Sequence, residues 1–585
     1  MPAKHAMISL ILAALWLGGC GREAEPPPAP DTRADAADLV LRGGVIATVD
    51  PAIGTVQALA VRGHTIIAVG SDESVSRHIG PQTRVIELDG RFAMPGFIEG
   101  HGHFMGLGES RQILDLGGAR NWQEIVDQVA AAADKAAPGE WIFGRGWHQE
   151  KWDSVPKDAV DGVPRNDDLS AVTPDNPVLL EHASGHASFA NDAALAAAFI
   201  DRDTPDPPGG TIVRAPDGEP TGLLRETAAR LLNDAIAEYE GRMSLAERRE
   251  LARERVRLAG EEALRNGVTS FQDAGVSFEV IDLYKELEAE GELPVRLYAM
   301  VRASNDAMAE LLPHYRTVAE GNDFLTVRAI KRQVDGALGS HGAWLLEPYT
   351  DMPGSTGLVL EPLPEIERTA ELAIEHGFQV NTHAIGTRAN REILDLYERV
   401  WERAGVDGRK LRWRIEHAQH LHADDVPRFA ELGVIASMQG VHATSDGPWI
   451  PERLGAERGG ETSYVWRDLL DAGATITNGT DVPVERIDPI ASFHASVTRR
   501  TASGERFHPE QSMTREEALA SYTIHNAFAA FEEDIKGSLT PGKLADIVVL
   551  SQDLLSVPDE RIPETEVLMT IVGGEIRYER DGPGR

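Results

Sequence analysis

Apolar and polar positions along this chain switch between alternation, the period of a strand, and a period of about 3.6, that of a helix. Near the start, Asp38-Leu-Val-Leu-Arg-Gly-Gly-Val-Ile-Ala-Thr-Val49 alternates around a Gly-Gly pair and reads as strand, turn, strand. Thr55 to Val69 repeats the pattern with Arg62-Gly-His64 at the turn, and Lys543–Leu550 and Met569–Arg577 read as strands near the other end. The two ends are thus expected to build one small composite β-sandwich from 37–94 and 535–580. Between them, strand-like runs alternate with helical stretches such as Leu245–Arg265 and Ile366–His376, which predicts a parallel α/β fold. Eight candidate strands lie near Pro95–His103, Gly267–Asp273, Pro294–Arg302, Leu325–Val334, Phe378–His383, Leu411–His417, Gly433–Met438 and Ala474–Thr480. They predict a (β/α)8, TIM-like barrel over 95–534. Parity within them is consistent: His383 shares a face with Gln379 and Asn381, while Val380 and Ile476 point to the opposite, helix-packed side. The stretch 104–244 is too long for a βα connection and reads as a subdomain inserted after the first strand.

Another pattern belongs to processing. Lys4 precedes the apolar run Ala6–Leu17, which is too short to span a bilayer and ends in Gly18-Gly-Cys20. Residues 1–20 read as a lipoprotein signal peptide with Cys20 as the lipidated residue, and 21–36 as a Pro-rich tether. The expected location is the periplasmic face of a Gram-negative outer membrane, held through the lipid anchor only. Cys20 is the one cysteine of 585 residues, so no disulfide, cysteine metal cluster or thiol nucleophile belongs to the folded part. A formal net charge of −36 argues against nucleic acid and against docking on anionic lipid. The expected partner is a small-molecule substrate, with homo-oligomerisation left open.

The candidate chemistry sits at the ends of the predicted strands. His101 and His103 are two residues apart, so on a strand both imidazoles share a face and can hold one metal ion. Four later runs end in useful residues: Lys331 with Asp335 beyond it, His383, Glu416-His417, and Asp481. In a β/α barrel these carboxyl ends meet at one mouth. Each residue also has a structural reading: Lys331 could pair with Asp335 or Asp273, and Asp481 could cap the next helix.

Taken in order, the motifs Pro95-Gly-Phe-Ile-Glu-Gly-His-Gly-His103, Gly144-Arg-Gly-Trp147, Lys331 with Asp335-Gly336, His383-Ala-Ile-Gly386, Glu416-His417, Gly479-Thr-Asp-Val-Pro483 and Gly542-Lys-Leu-Ala-Asp-Ile-Val-Val-Leu550 resemble the amidohydrolase superfamily. The branch resembled is amidohydrolase family 3, which includes N-substituted formamide deformylase. The resemblance implies that His101, His103 and Asp481 hold one divalent metal and His383 and His417 a second. Lys331 would bridge the two as a carbamate. Zinc is the expected metal, with manganese, iron or nickel compatible with the same ligands. Asp481 would move a proton from the attacking water to the departing amine. Trp147 and His186 match positions that face substrate, and Thr387 stands where the family usually has an acidic residue. His341 is a further substrate-binding candidate, and His442 and Trp449 follow the seventh strand, where they could line the pocket. The expected activity is hydrolysis of a C–N bond in a formamide, N-acyl amine or cyclic amide. A mononuclear deaminase and a non-catalytic binding protein are the alternatives.

Overall fold

The computed structural model describes residues 36–580 apart from 150, 151, 155–158, 161, 184, 186, 209 and 502. Its centre is a set of eight parallel strands: β1 (Phe97–Gly102), β2 (Val268–Val276), β3 (Arg296–Val301), β4 (Leu325–Gln333), β5 (Gln379–Ala384), β6 (Arg414–His417), β7 (Ile435–Gln439) and β8 (Ile476–Gly479). Each pairs with the next in chain order. The ring is drawn nearly shut between β1 and β8. The Asp481 amide donates to the His101 carbonyl at 2.8 Å, and the His103 amide donates to Val482 at 2.7 Å. Buried Glu99 accepts both the Thr480 amide at 2.5 Å and its hydroxyl at 3.0 Å. Only glycine fits at Gly479, where a Cβ would stand 2.5 Å from Glu99 Oε1.

Strands buried on both faces are expected in a parallel sheet covered by helices. All six residues of β3 are buried. Its Leu297, Ala299 and Val301 face the outer apolar core, whereas Tyr298 and Met300 join Ala274, Ala329 and Ala530 in an inner cluster. At the amino ends of the strands the barrel is plugged by the end of the short helix Ile524–Ala529: the Ala529 carbonyl accepts Arg414 Nη2 and Gln379 Nε2, both at 2.8 Å. That leaves the carboxyl ends for chemistry. Around the ring, Leu245–Arg265 starts with a Ser244/Glu247 capping box, and Thr387–Ala404 turns Ile393, Tyr397 and Trp401 inward.

The stretch 104–244 carries its own mixed six-stranded sheet, ordered Gly210–Arg214, Pro220–Glu226, Ala187–Ala190, Val178–His182, Ile142–Trp147, Leu114–Asp115. Trp122, Trp147, Leu180 and Phe189 fill one side of it. The chain ends share another six-stranded sheet, in which Phe92–Pro95 pairs antiparallel with Ile547–Leu550. A four-stranded sheet of Leu39–Arg42, Ala58–Arg62, Thr65–Gly70 and Arg84–Glu87 completes that unit over a core of Leu41, Ile46, Leu59, Ile547 and Ile571.

Candidate metal centre

The carboxyl ends of β1, β4, β5, β6 and β8 bring His101, Lys331, His383, His417 and Asp481 together, with His103 one step past β1. Asp481 Oδ1 lies 3.5 Å from His101 Nε2 and 3.2 Å from His103 Nε2. The His417 ring sits 4.8 Å from that of His101 and 4.4 Å from that of His383. Lys331 Nζ is 3.3 Å from His101 Nε2. His101, His417 and Asp481 are buried and present ligand atoms within 4.8 Å of one another. His103 is the most open of the set, its side chain 35% exposed towards the mouth.

Two of these residues reach the site through unusual backbone. Along β6, Glu416 and His417 should point to opposite faces. A φ of +73° at His417 turns its ring back to the mouth, while Asp481, which shares a face with Thr475 and Thr477, leaves its strand at a φ of +58°. The following helix, Pro489–Thr498, is capped by Asp488, which leaves the Asp481 carboxylate to the site.

A supporting layer fixes the rings. Glu416 Oε2 accepts from His101 Nδ1. Burial works to raise the Glu416 pKa, but the His101 contact, with Arg414 and Lys331 behind it, outweighs burial and holds it at about 2. The ionised carboxylate keeps the proton on Nδ1 and leaves the Nε2 lone pair free. His417 Nδ1 meets Gln439 Oε1 at 2.7 Å. Burial drives His383 and His417 well below the usual histidine range, so both rings are neutral. Asp335 pairs with the backbone instead of Lys331: it accepts the amides of Trp344, Ile385 and Gly386 at 2.8–2.9 Å and so shapes the loop beyond His383. Asp273 takes Tyr284 Oη at 2.7 Å and the Phe104 amide at 3.1 Å, so it too leaves Lys331 alone. Burial lowers the Lys331 pKa to about 8. Nothing in the linear sequence singles out Gln439 or the carboxylate of Glu416 as supports of these rings. The motif contained Glu416, but the contact with His101 spans 315 positions of chain.

The donors suit a divalent cation. Imidazole nitrogen and carboxylate oxygen are ordinary zinc ligands. Among the described residues, His383 Nε2 and His442 Nε2 are buried side-chain atoms without a hydrogen-bond partner, a costly arrangement unless a ligand meets them.

Trp147 is 2% exposed and sits inside the insert's core, its Nε1 donating to the Leu180 carbonyl at 2.9 Å. His341 follows the loop after β4, where its Nε2 lies 3.1 Å from Asp351, which Arg453 also grips. His186 and Cys20 fall outside the described residues. Thr387 accepts the Leu346 amide at 3.0 Å. Among the described residues, no helix is long and apolar enough to cross a membrane.

A nearly closed eight-stranded parallel barrel, with a buried His/His/Asp group at its carboxyl mouth, defines a metal-dependent hydrolase of the amidohydrolase superfamily. The chain belongs to the amidohydrolase family, whose model matches residues 84–578. It is 33% identical to the protein LONG AFTER FAR-RED 3 of Arabidopsis thaliana, over 93% of this chain and 92% of that one. It is 28% identical to the N-substituted formamide deformylase of Arthrobacter pascens, over 93% and 99% of the two chains. The crystal structure of an uncharacterized metal-dependent hydrolase from Pyrococcus horikoshii superposes with a TM-score of 0.73 at 28% identity, covering 89% of this chain and 99% of the other.

Proposed function

We propose that the protein hydrolyses a C–N bond in an amide-like small molecule: a formamide, an N-acyl amine or a cyclic amide. The observation that carries this reading is the place of Lys331. It is a 3% exposed lysine among candidate metal ligands, its amine beside His101 and, among the described residues, without a carboxylate in hydrogen-bond contact. A pKa near 8 leaves part of it as free amine at neutral pH. Attack of that amine on carbon dioxide forms an N–C bond, releases one proton and yields a two-oxygen anion. In this reading His101, His103 and Asp481 would hold one metal and His383 and His417 the other, with carbamylated Lys331 as a further anionic ligand. Two zinc ions, or manganese, iron or nickel, would polarise the scissile carbonyl and acidify water. Glu416 and Gln439 aim the rings of His101 and His417. Asp481 takes the proton of the attacking water and delivers it to the departing amine nitrogen. The similarity to a formamide deformylase supports the C–N assignment.

A second reading rests on the compact His101, His417 and Asp481 trio, which suits one metal. Lys331 then remains an amine and the enzyme is a mononuclear deaminase. Elemental analysis of protein lacking residues 1–20, purified without chelator, separates the two. About two metals per chain supports the bridged site, and about one supports the deaminase. We also propose that Cys20 carries a lipid that holds the enzyme at the outer membrane, facing the periplasm.

A further inference from the structure

His442 is absent from every ligand set above, yet it faces the centre. It lies just past β7, on the short helix His442–Asp446. Its Nε2 is 3.9 Å from Asp481 Oδ2, the oxygen turned away from the closest approaches of His101 and His103. Its ring runs nearly parallel to that of His417, 12° apart with centroids at 6.2 Å. The Nε2 atom is buried and has no hydrogen-bond partner among the described residues. An imidazole nitrogen does not gain stability from being buried unpaired, so its position calls for a ligand.

The backbone that presents His442 is held on both sides. Before it, the Gly440 amide donates to Asn478 Oδ1 at 2.8 Å, and the Val441 amide donates to Ser492 Oγ at 3.2 Å. A Cβ on Gly440 would come within 2.4 Å of Ser496 Oγ, so this approach to the neighbouring helix needs glycine. After it, Asp446 Oδ2 takes Gln419 Nε2 at 2.7 Å and Tyr464 Oη at 2.5 Å. A side chain anchored at both ends and unpaired at its tip is preorganised for a bound group.

We infer that His442 is a catalytic hydrogen-bond donor, its Nε2–H aimed at the substrate carbonyl oxygen that gains charge as water attacks. This deepens the hydrolase reading and rests on it. The carbonyl carbon gains a bond to the water oxygen, the C=O π pair moves onto oxygen, and His442 stabilises that oxygen without giving up its proton. Asp481 handles the proton transfer, so the two groups that stand 3.9 Å apart divide acceptor and donor duties.

The test compares the wild type with His442→Phe and His442→Gln in three measurements: metal content, calorimetric affinity of the metal-loaded protein for methylphosphonate, and kcat and KM on the best substrate of an amide and formamide screen. Methylphosphonate is a tetrahedral oxyanion, so it reports on the donor without turnover. The expected result for His442→Phe is unchanged metal content, methylphosphonate affinity about 10- to 100-fold weaker, and kcat about 100- to 1000-fold lower at similar KM. His442→Gln retains an N–H donor and is expected to fall between, and it carries the comparison if the Phe variant does not fold. Metal loss in either folded variant would make His442 a ligand and overturn the assignment. Methylphosphonate affinity within twofold of wild type in both variants, or no binding by the wild type, also overturns it. If the wild type cleaves no amide, the C–N reading fails while the methylphosphonate comparison still decides the role of His442.

Discussion

Replacing Glu416 with glutamine changes one oxygen to an amide nitrogen in a fully buried position, and its cost can be worked from the contacts. Oε2 accepts the proton of His101 Nδ1, whereas Oε1 has no hydrogen-bond partner among the described residues. In Glu416→Gln the amide oxygen must stay on His101 to keep that bond, so the NH2 group takes the place of Oε1. There it lacks an acceptor, which costs about 1–3 kcal/mol, and the bond to His101 loses the charge assistance worth about 1 kcal/mol. The part expressed at the metal should match what other residues behind a ligating histidine contribute, about 10- to 100-fold in affinity, or about 1.4–2.7 kcal/mol. The assay is zinc competition against a chromophoric chelator at pH 7, with circular dichroism to confirm folding. Zinc affinity within twofold of wild type in a folded Glu416→Gln protein would refute the claim that Glu416 orients His101 for a metal.

Three further outcomes are expected. Asp481→Asn should preserve folding, since asparagine tolerates the φ of +58°, while kcat on an amide substrate falls about 100-fold or more. Near-normal turnover would remove Asp481 from proton transfer. His420, buried with Nδ1 2.9 Å from Ser463 Oγ, is pulled by burial to a pKa of about 3. The unfolded chain therefore binds a proton there that the folded chain refuses. The stability this residue confers is complete above about pH 6.5 and is lost as pH falls towards 3, by up to about 1.4 kcal/mol per pH unit. Denaturant melts of wild type and His420→Gln at pH 7 and pH 5 should differ by that slope; parallel losses would contradict it. Cys20→Ser should move the protein from the membrane to the soluble fraction of its host, and salt-resistant membrane retention would count against a lipid anchor.

The eight strands, their order and the insert after the first were all readable from alternation and spacing, because parallel strands buried on both faces need continuous apolar runs and each element must be long enough to cross the barrel. Candidate ligands were readable for the same reason: His101, Lys331, His383, His417 and Asp481 stand where predicted strands stop, and barrel topology sends all such stops to one mouth. The closing of β1 on β8 through Glu99 and Thr480, which lie 381 positions apart, depends on a burial no local pattern reports. Neither does parity account for His417, since it assumes regular strand geometry up to the last residue and His417 rests on a positive φ. Trp147 looked like a pocket residue from its motif, and the insert's sheet buries it in that subdomain's own core. His442 carries no motif strong enough to single it out as a donor.

The sequence by itself thus determined the fold, the mouth of the barrel and the chemical type of the candidate ligands, because periodicity and strand ends are local properties. Tertiary structure alone decided which side chains stand behind those ligands, which buried nitrogens and oxygens are left unpaired, and which aromatic groups are spent on packing. Those outcomes depend on distances between residues far apart in the chain, set only once the barrel has nearly closed.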